Sequence, residues 1–334
     1  MPGMAGRGEE FRDDERRRKG LPPELIKRLT RIDPLRAALS VALSVGLAAL
    51  IAAVALAWWT PLVVVPAVLA MGAVQHAWFV LAHDAAHYRL FEQRWLNDLV
   101  GRALAAPGGV SMCTYRVVHR LHHNHLYQPN DPDLPLHAGY PRGRAYLAKK
   151  LAKDLAGLTA WKTYAYFFGA PAINDETGAA NRPLNDTSPE LRRTARRDRW
   201  LVVAFHLTAP AAAFAAGYGI EYLVLWVLPL LTVLQPILRF RAICEHGAVS
   251  DTSSPLKAAR TNFAPAWLRW ALFPHHVGYH LEHHLYPSIP HYNLPECHRA
   301  LQARGCLDDA EVRRLGETAR LVMADRPACV AALP

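Results

Sequence analysis

Two long runs of this chain contain no lysine or arginine. Residues 37–81 and 200–238 lack both, although the 334-residue sequence carries 38 of them, and the only acid in either run is Glu221. A helix rises about 1.5 Å per residue, so uncharged runs of this length match the ~30 Å hydrocarbon core of a bilayer. The first run divides at Thr60-Pro61 into stretches 35–59 and 62–81, and the second divides at Tyr218-Gly219 into 200–217 and 222–240. The expected fold is therefore an all-α membrane protein with four transmembrane helices in two hairpins. Buried hairpins of a soluble protein are the competing reading, and their near-bilayer length weighs against it.

The short connections carry no base, whereas the flanks are rich in it: Arg12 and Arg16 to Lys19, Arg192 to Arg199, and Arg239 and Arg241. The positive-inside rule then places both termini and the central loop, about 82–199, on the cytoplasmic side of an inner or plasma membrane. No cleavable signal peptide is visible, and residues 1–34 read as a polar tail ending in a short interfacial helix. Residues 301–334 read as a second cytoplasmic tail. Trp58 and Trp59 suit an aromatic belt, residues 95–106 an interfacial or re-entrant helix, residues 144–168 a helix lying on the membrane face, and 174–190 a polar loop. The net charge of +10 is thus a topology signal rather than a nucleic-acid footprint, and a mean hydropathy of +0.01 averages lipid-embedded hairpins with a polar body.

Seventeen histidines are the other anomaly. HDAAH places His83 and His87 at i and i+4 just past the second stretch, while HRLHH (His119, His122, His123) and HLEHH (His280, His283, His284) repeat an i, i+3, i+4 pattern. On a helix such spacing gathers imidazoles, which suit Zn, Fe, Cu and Ni. Eight of them exceed one tetrahedral zinc and fit two metal ions with open positions. His246 lies two turns beyond Arg239, at the depth of His83 and His87, and is the expected ninth ligand. Asp84 stands where a zinc protease needs its general-base Glu, and the paired Glu-x-x-His motifs of a ferritin-type site are missing. Asp131, Asp133 and His276 are candidate outer partners of the ligands. His125 and His137 are expected in solvent, His76 in core packing, and Glu282 off the ligand face beside a neighbouring base. His291 and His298 follow Pro287 and Pro290, where the helix should have stopped.

These motifs, HDAAHYRLF (83–91), HRLHHNHLYQPNDPDL (119–134), CEHG (244–247) and GYHLEHHLYPSIPHYNLP (278–295), resemble the integral-membrane fatty acid desaturase and hydroxylase superfamily over residues 35–300. The resemblance implies a membrane domain over 35–300 with a helical cytoplasmic cap carrying the histidines. It also implies two irons held by His83, His87, His119, His122, His123, His280, His283 and His284, with His246 in addition. O2 would be the co-substrate and a lipid acyl chain the substrate, which gains a double bond. Ala242, where some branches carry Asn, and the three residues between His83 and His87 bring the chain nearer the bacterial acyl-lipid type. A hydroxylase or ketolase acting on an acyl chain, alkane or carotenoid shares the same motifs. A membrane metal transporter would want more polar residues in its spans than Gln75, His76, His206 and Gln235. The sequence shows no haem element, ferredoxin cysteine run or dinucleotide fingerprint, so an external ferredoxin- or rubredoxin-like donor is expected. Cys113 and Cys244, in no C-x-x-C pair, read as reduced thiols.

Overall fold

The computed structural model describes residues 20–174, 178–179, 182–185 and 187–325. The basic residues Arg12 and Arg16 to Lys19, the end of the C-terminal segment and part of the loop 174–190 lie outside these described residues. Helix α1 (Pro23–Leu29) leads into α2 (Pro34–Ala57) and α3 (Pro61–Ala86). Helix α2 begins where Asp33 accepts hydrogen bonds from the backbone N–H groups of Leu35 (3.0 Å) and Arg36 (3.1 Å), with Pro34 at its first position. Its buried side is a row of small residues, Ala37, Ser44, Ala48 and Ala55, which lets α3 approach closely; Leu39, Leu43 and Leu50 point outward and are exposed. Helix α3 is apolar around most of its circumference, and α2, α4 (Arg94–Ala105), α5 (Met112–His125) and the later helices pack on it.

The expected helix over 144–168 is two, α6 (Arg144–Leu155) and α7 (Ala160–Phe167). Between them Gly157 adopts φ +76°, a left-handed turn that ends α6. Helix α8 (Pro189–Ala215) is followed by α9 (Gly219–His246). Three helices, α2, α3 and α9, are long and apolar enough to cross a membrane. The fourth expected stretch falls in α8, whose first half carries Arg192, Arg193, Arg196, Arg197 and Arg199, leaving only Trp200 onward uncharged. Helix α9 contains a π-helical turn at Leu223–Val227 and a break at Thr232, beside Pro229 and Pro236, which supply no N–H donor. Gln235 repairs part of the ladder by donating from Nε2 to the Leu230 carbonyl at 2.6 Å.

The described parts of both expected tails, 20–34 and 301–325, pack onto the body. Leu21 and Leu29 bury against Leu281, Ile289, Leu294 and Leu301, because they supply the apolar surface that α11 (His280–Leu285) and α12 (Leu294–Ala303) would otherwise leave open. At the other end, the strand Val312–Arg314 pairs in parallel with Thr261–Phe263, and α13 (Leu315–Val322) covers α9. Between these lies α10 (Ala266–Leu272), with Trp267 and Trp270 exposed.

Candidate metal centre

Four helices converge on one buried point. Helix α3 supplies His83 and His87 at its C-terminal end, and α5 supplies His119, His122 and His123. The last turn of α9 supplies His246, and α11 supplies His280, His283 and His284. The N-terminus of α5 is fixed by Ser111, whose Oγ accepts from the Thr114 N–H, and by Asp198 of α8, which accepts from the Cys113 N–H at 2.8 Å. The ring nitrogens form two groups, each with its donor atoms within 4.8 Å of one another: His83, His87, His119, His123 and His283 in one, His122, His246, His280 and His284 in the other. All nine histidines expected from the sequence fall in these two groups.

The division follows from helical geometry. At about 100° per residue, His119 and His123 lie some 40° apart around α5, while His122 and His123 differ by about 100°. The first pair therefore shares one group and His122 turns to the other. On α11 the roles reverse: His280 and His284 join His122 and His246, and His283 crosses to the first group. Each three-histidine motif thus bridges both groups.

Ring nitrogens here approach one another more often than their protons can bridge, since a neutral imidazole has one N–H to donate. His280 Nε2 and His246 Nε2 are 2.8 Å apart, His284 and His280 Nε2 3.1 Å, and His283 and His123 Nε2 3.0 Å. Both ring nitrogens of His83 and Nε2 of His87 are buried with no hydrogen-bond partner. Burial among like rings pushes His119, His280, His283 and His284 well below the ordinary histidine value, and His87 down to about 3. Apart from His122, these are imidazoles held neutral with converging lone pairs, which a pair of metal ions requires, so the residues fit.

The outer partners differ from expectation in part. Asp131 accepts from His122 Nδ1 at 2.9 Å, and Asp133 Oδ2 lies 3.8 Å from the same nitrogen. Burial would lower His122, but these two carboxylates outweigh it and raise it to about 9. His276 reaches none of the nine: it and His275 adopt positive φ (59° and 48°), so α11 begins only at His280 and the His276 ring turns toward Tyr279. His137, expected in solvent, is buried, with Nε2 3.5 Å from Asp131. Glu282 does face away from the ligand side, accepting from His298 Nδ1 (2.6 Å) and Thr261 Oγ1 (2.5 Å). His291 donates from Nδ1 to Asp84 at 2.6 Å. Sequence reasoning missed Glu245, whose Oε1 lies 3.5 Å from His280 Nδ1, and the Ala258 carbonyl, 3.1 Å from His246 Nδ1. Glu245 adjoins a candidate ligand in CEHG, the one signal that was available. Cys113 and Cys244 are buried free thiols.

A cavity of 160 Å³ reaches the second group. Phe79, Val118, Leu136, Phe167 and Leu238 form its apolar wall; Tyr166, Gln235, Arg239 and Glu245 add polar positions. Helix α10 borders a separate groove with Leu43 and Val74.

Two adjoining groups of buried imidazoles, on helices that include three of membrane length, define a helical histidine-box protein able to hold metal ions. The chain belongs to the fatty acid desaturase family, which it matches over residues 57–311, and is an oxidoreductase of that family. It is similar to the dihydrorhizobitoxine desaturase of Bradyrhizobium elkanii, 29% identical over 260 residues, covering 76% of this chain and 70% of the relative. A probable fatty acid desaturase of Sorghum bicolor is 29% identical over 243 residues, covering 69% and 61% respectively. An sn-1 acyl-lipid omega-3 desaturase (ferredoxin) of a Nostoc strain is 23% identical over 251 residues, covering 70% and 66%. The chain therefore spans about two thirds of the length of these relatives.

Proposed function

We propose that this protein is an O2-dependent di-iron desaturase that introduces a double bond into a lipid acyl chain. One observation carries the reading: nine histidines in groups of five and four, against a cavity with a mostly aliphatic and aromatic wall. When bound, two irons would supply the capacity to reduce O2 and remove hydrogen from an unactivated C–H bond. The chain's own part is placement and exclusion. Phe79, Phe167 and Leu238 would align an acyl segment beside the second group and keep water from it. Asp131 would hold the His122 Nδ1 proton, presenting Nε2 inward. Loss of two hydrogens from the chain and reduction of O2 to two waters balances with two electrons and two protons from outside. We assign those electrons to a ferredoxin- or rubredoxin-like donor, in keeping with the donor named for the Nostoc relative.

The same reading puts both termini and the histidines on the cytoplasmic side of an inner or plasma membrane, with residues 35–300 as the membrane domain. Helix α8 would be the fourth span: sixteen uncharged residues, from Trp200 to its end at Ala215, cover about 24 Å, with local bilayer thinning taking up the difference. The test is expression in a host lacking the product, with a donor system supplied and His122→Ala as control. A lipid product two hydrogens lighter is expected. A product one oxygen heavier points instead to hydroxylation, and an unchanged lipid and carotenoid profile sinks the enzyme reading.

A further inference from the structure

We infer that the two metal positions are inequivalent, and that Asp131 and Glu245 make the His122–His246–His280–His284 group the tighter and more electron-rich of the two. The inference rests on reading both groups as metal-binding. In this group, three of four rings face an acceptor on the outer nitrogen. His122 Nδ1 donates to Asp131 at 2.9 Å; that carboxylate is fully buried and pinned by the backbone N–H groups of Tyr127 (3.1 Å) and Asp133 (2.9 Å). His246 Nδ1 faces the Ala258 carbonyl at 3.1 Å. His280 Nδ1 and Glu245 Oε1 stand 3.5 Å apart, both buried, and neither has another hydrogen-bond partner. A hydrogen bond between them is the arrangement that satisfies both. Arg241, with Nε 3.3 Å from the second Glu245 oxygen, orients the carboxylate.

The five-histidine group has only one such contact, a weaker one. Its one nearby carboxylate is Asp84, whose Oδ1 is 3.7 Å from His83 Nδ1, beyond hydrogen-bond range, while its other oxygen is taken by the His291 backbone N–H (3.0 Å) and Nδ1 (2.6 Å). Among the described residues, no carboxylate pairs with His87, His119, His123 or His283. A carboxylate on the outer nitrogen strengthens the inner nitrogen as a donor, and a negative charge near a cation stabilises its higher charge. Asp131 hydrogen-bonded to His122 and Glu245 3.5 Å from His280 on one group, against Asp84 alone, 3.7 Å from His83 and engaged by His291, on the other, make the positions differ in affinity and electron density. Five rings against four would by themselves bias affinity the opposite way, so the experiment separates the effects.

The test is anaerobic titration of the purified full-length chain with Fe(II), read alongside 57Fe Mössbauer spectra. Asp131→Asn and Glu245→Gln keep shape and remove charge; Arg241→Gln/Glu245→Gln removes the pair together and guards against a misfolded single variant. In each, one of two Fe(II) binding events should weaken about 10–100-fold. One of two quadrupole doublets should shift, with the other doublet unchanged. Equal weakening of both events, an effect on neither, or two identical sites in the wild type overturns the inference alone. A wild type that binds fewer than two irons overturns the di-iron reading with it.

Discussion

Arg260 is fully buried, and removing it should be among the most damaging single changes outside the histidines. Its guanidinium donates to the carbonyls of Cys244 (3.0 Å), Gly247 (3.0 Å) and Ala248 (3.1 Å), and its Nε donates to Glu311 at 3.0 Å. The first two carbonyls belong to the end of α9, where His246 sits, so this side chain caps the helix that delivers a candidate ligand. Arg260→Leu leaves the Gly247 and Ala248 carbonyls without their donor and takes one of three hydrogen-bonding side chains from Glu311, which keeps Arg313 and Ser250, a loss of about 2–4 kcal/mol. In a chain of this size that is a fall of about 3–6 °C in the thermal midpoint. Arg260→Lys keeps the charge but not the planar fork and should fall between. Glu311 adds a pH signature. Burial alone would raise its carboxyl, but hydrogen bonds from Arg313, Ser250 and Arg260 outweigh that and hold it at about 2, against an ordinary value of 4.5. Because the folded value is depressed, the stabilisation is complete above pH 4.5 and is lost as pH falls toward 2. The difference corresponds to about 3 kcal/mol at neutral pH. Unfolding of detergent-solubilised protein, followed by tryptophan fluorescence from pH 7 to 2, reads both effects. Glu311→Gln should remove this group's share of the acid slope. An Arg260→Leu midpoint within 2 °C of wild type, or an unchanged acid slope in Glu311→Gln, would refute the reasoning.

Three further outcomes follow from the packing and the site. A Cβ at Gly72 would lie 2.5 Å from Val233 Cγ1, so Gly72→Ala should cost about 1–3 kcal/mol by forcing α3 and α9 apart, and Val233→Ala in the same chain should recover most of it in the thermal midpoint. Asp198→Asn removes the charge that accepts from the Cys113 N–H at 2.8 Å and Arg102 Nε at 2.9 Å, and should destabilise α5 by about 1–2 kcal/mol; faster amide exchange at the start of α5 is the readout. Metal binding should stabilise the folded chain by mass action, about 2.7 kcal/mol when free Fe(II) is a hundred times its dissociation constant. A midpoint that is the same with chelator and with added Fe(II) contradicts the site.

What the sequence could reveal was set by the range of the interactions. Uncharged runs and i, i+3, i+4 histidines are local patterns, so three membrane-length helices and all nine converging histidines were legible before any contact was known. His246, a lone histidine, was legible only by counting turns from Arg239. Where packing decides, the reading failed: Arg260 and Glu311 are 51 residues apart, and nothing near either marks them as partners. Leu21 and Leu29 looked like tail residues because the surface they cover is made by α11 and α12, more than 250 positions away. His137 looked solvated for the same reason, since its neighbours Asp131 and Tyr127 enclose it only after the loop closes on α9. Helix α8 is a different case: its arginines and its apolar half share one continuous helix, and the charge-free run 200–217 marks only the apolar half, not where the helix begins. The three-histidine motifs stand between these cases. Their 40° and 100° separations already imply that each must address two points rather than one. Which histidine goes to which point is settled only when α5 and α11 face each other, because each supplies a pair to one group and a single ring to the other. Two such motifs in opposed register are the least that can bridge two metals with helices this short, and a helix carrying only i, i+4 histidines, like the end of α3, can serve just one.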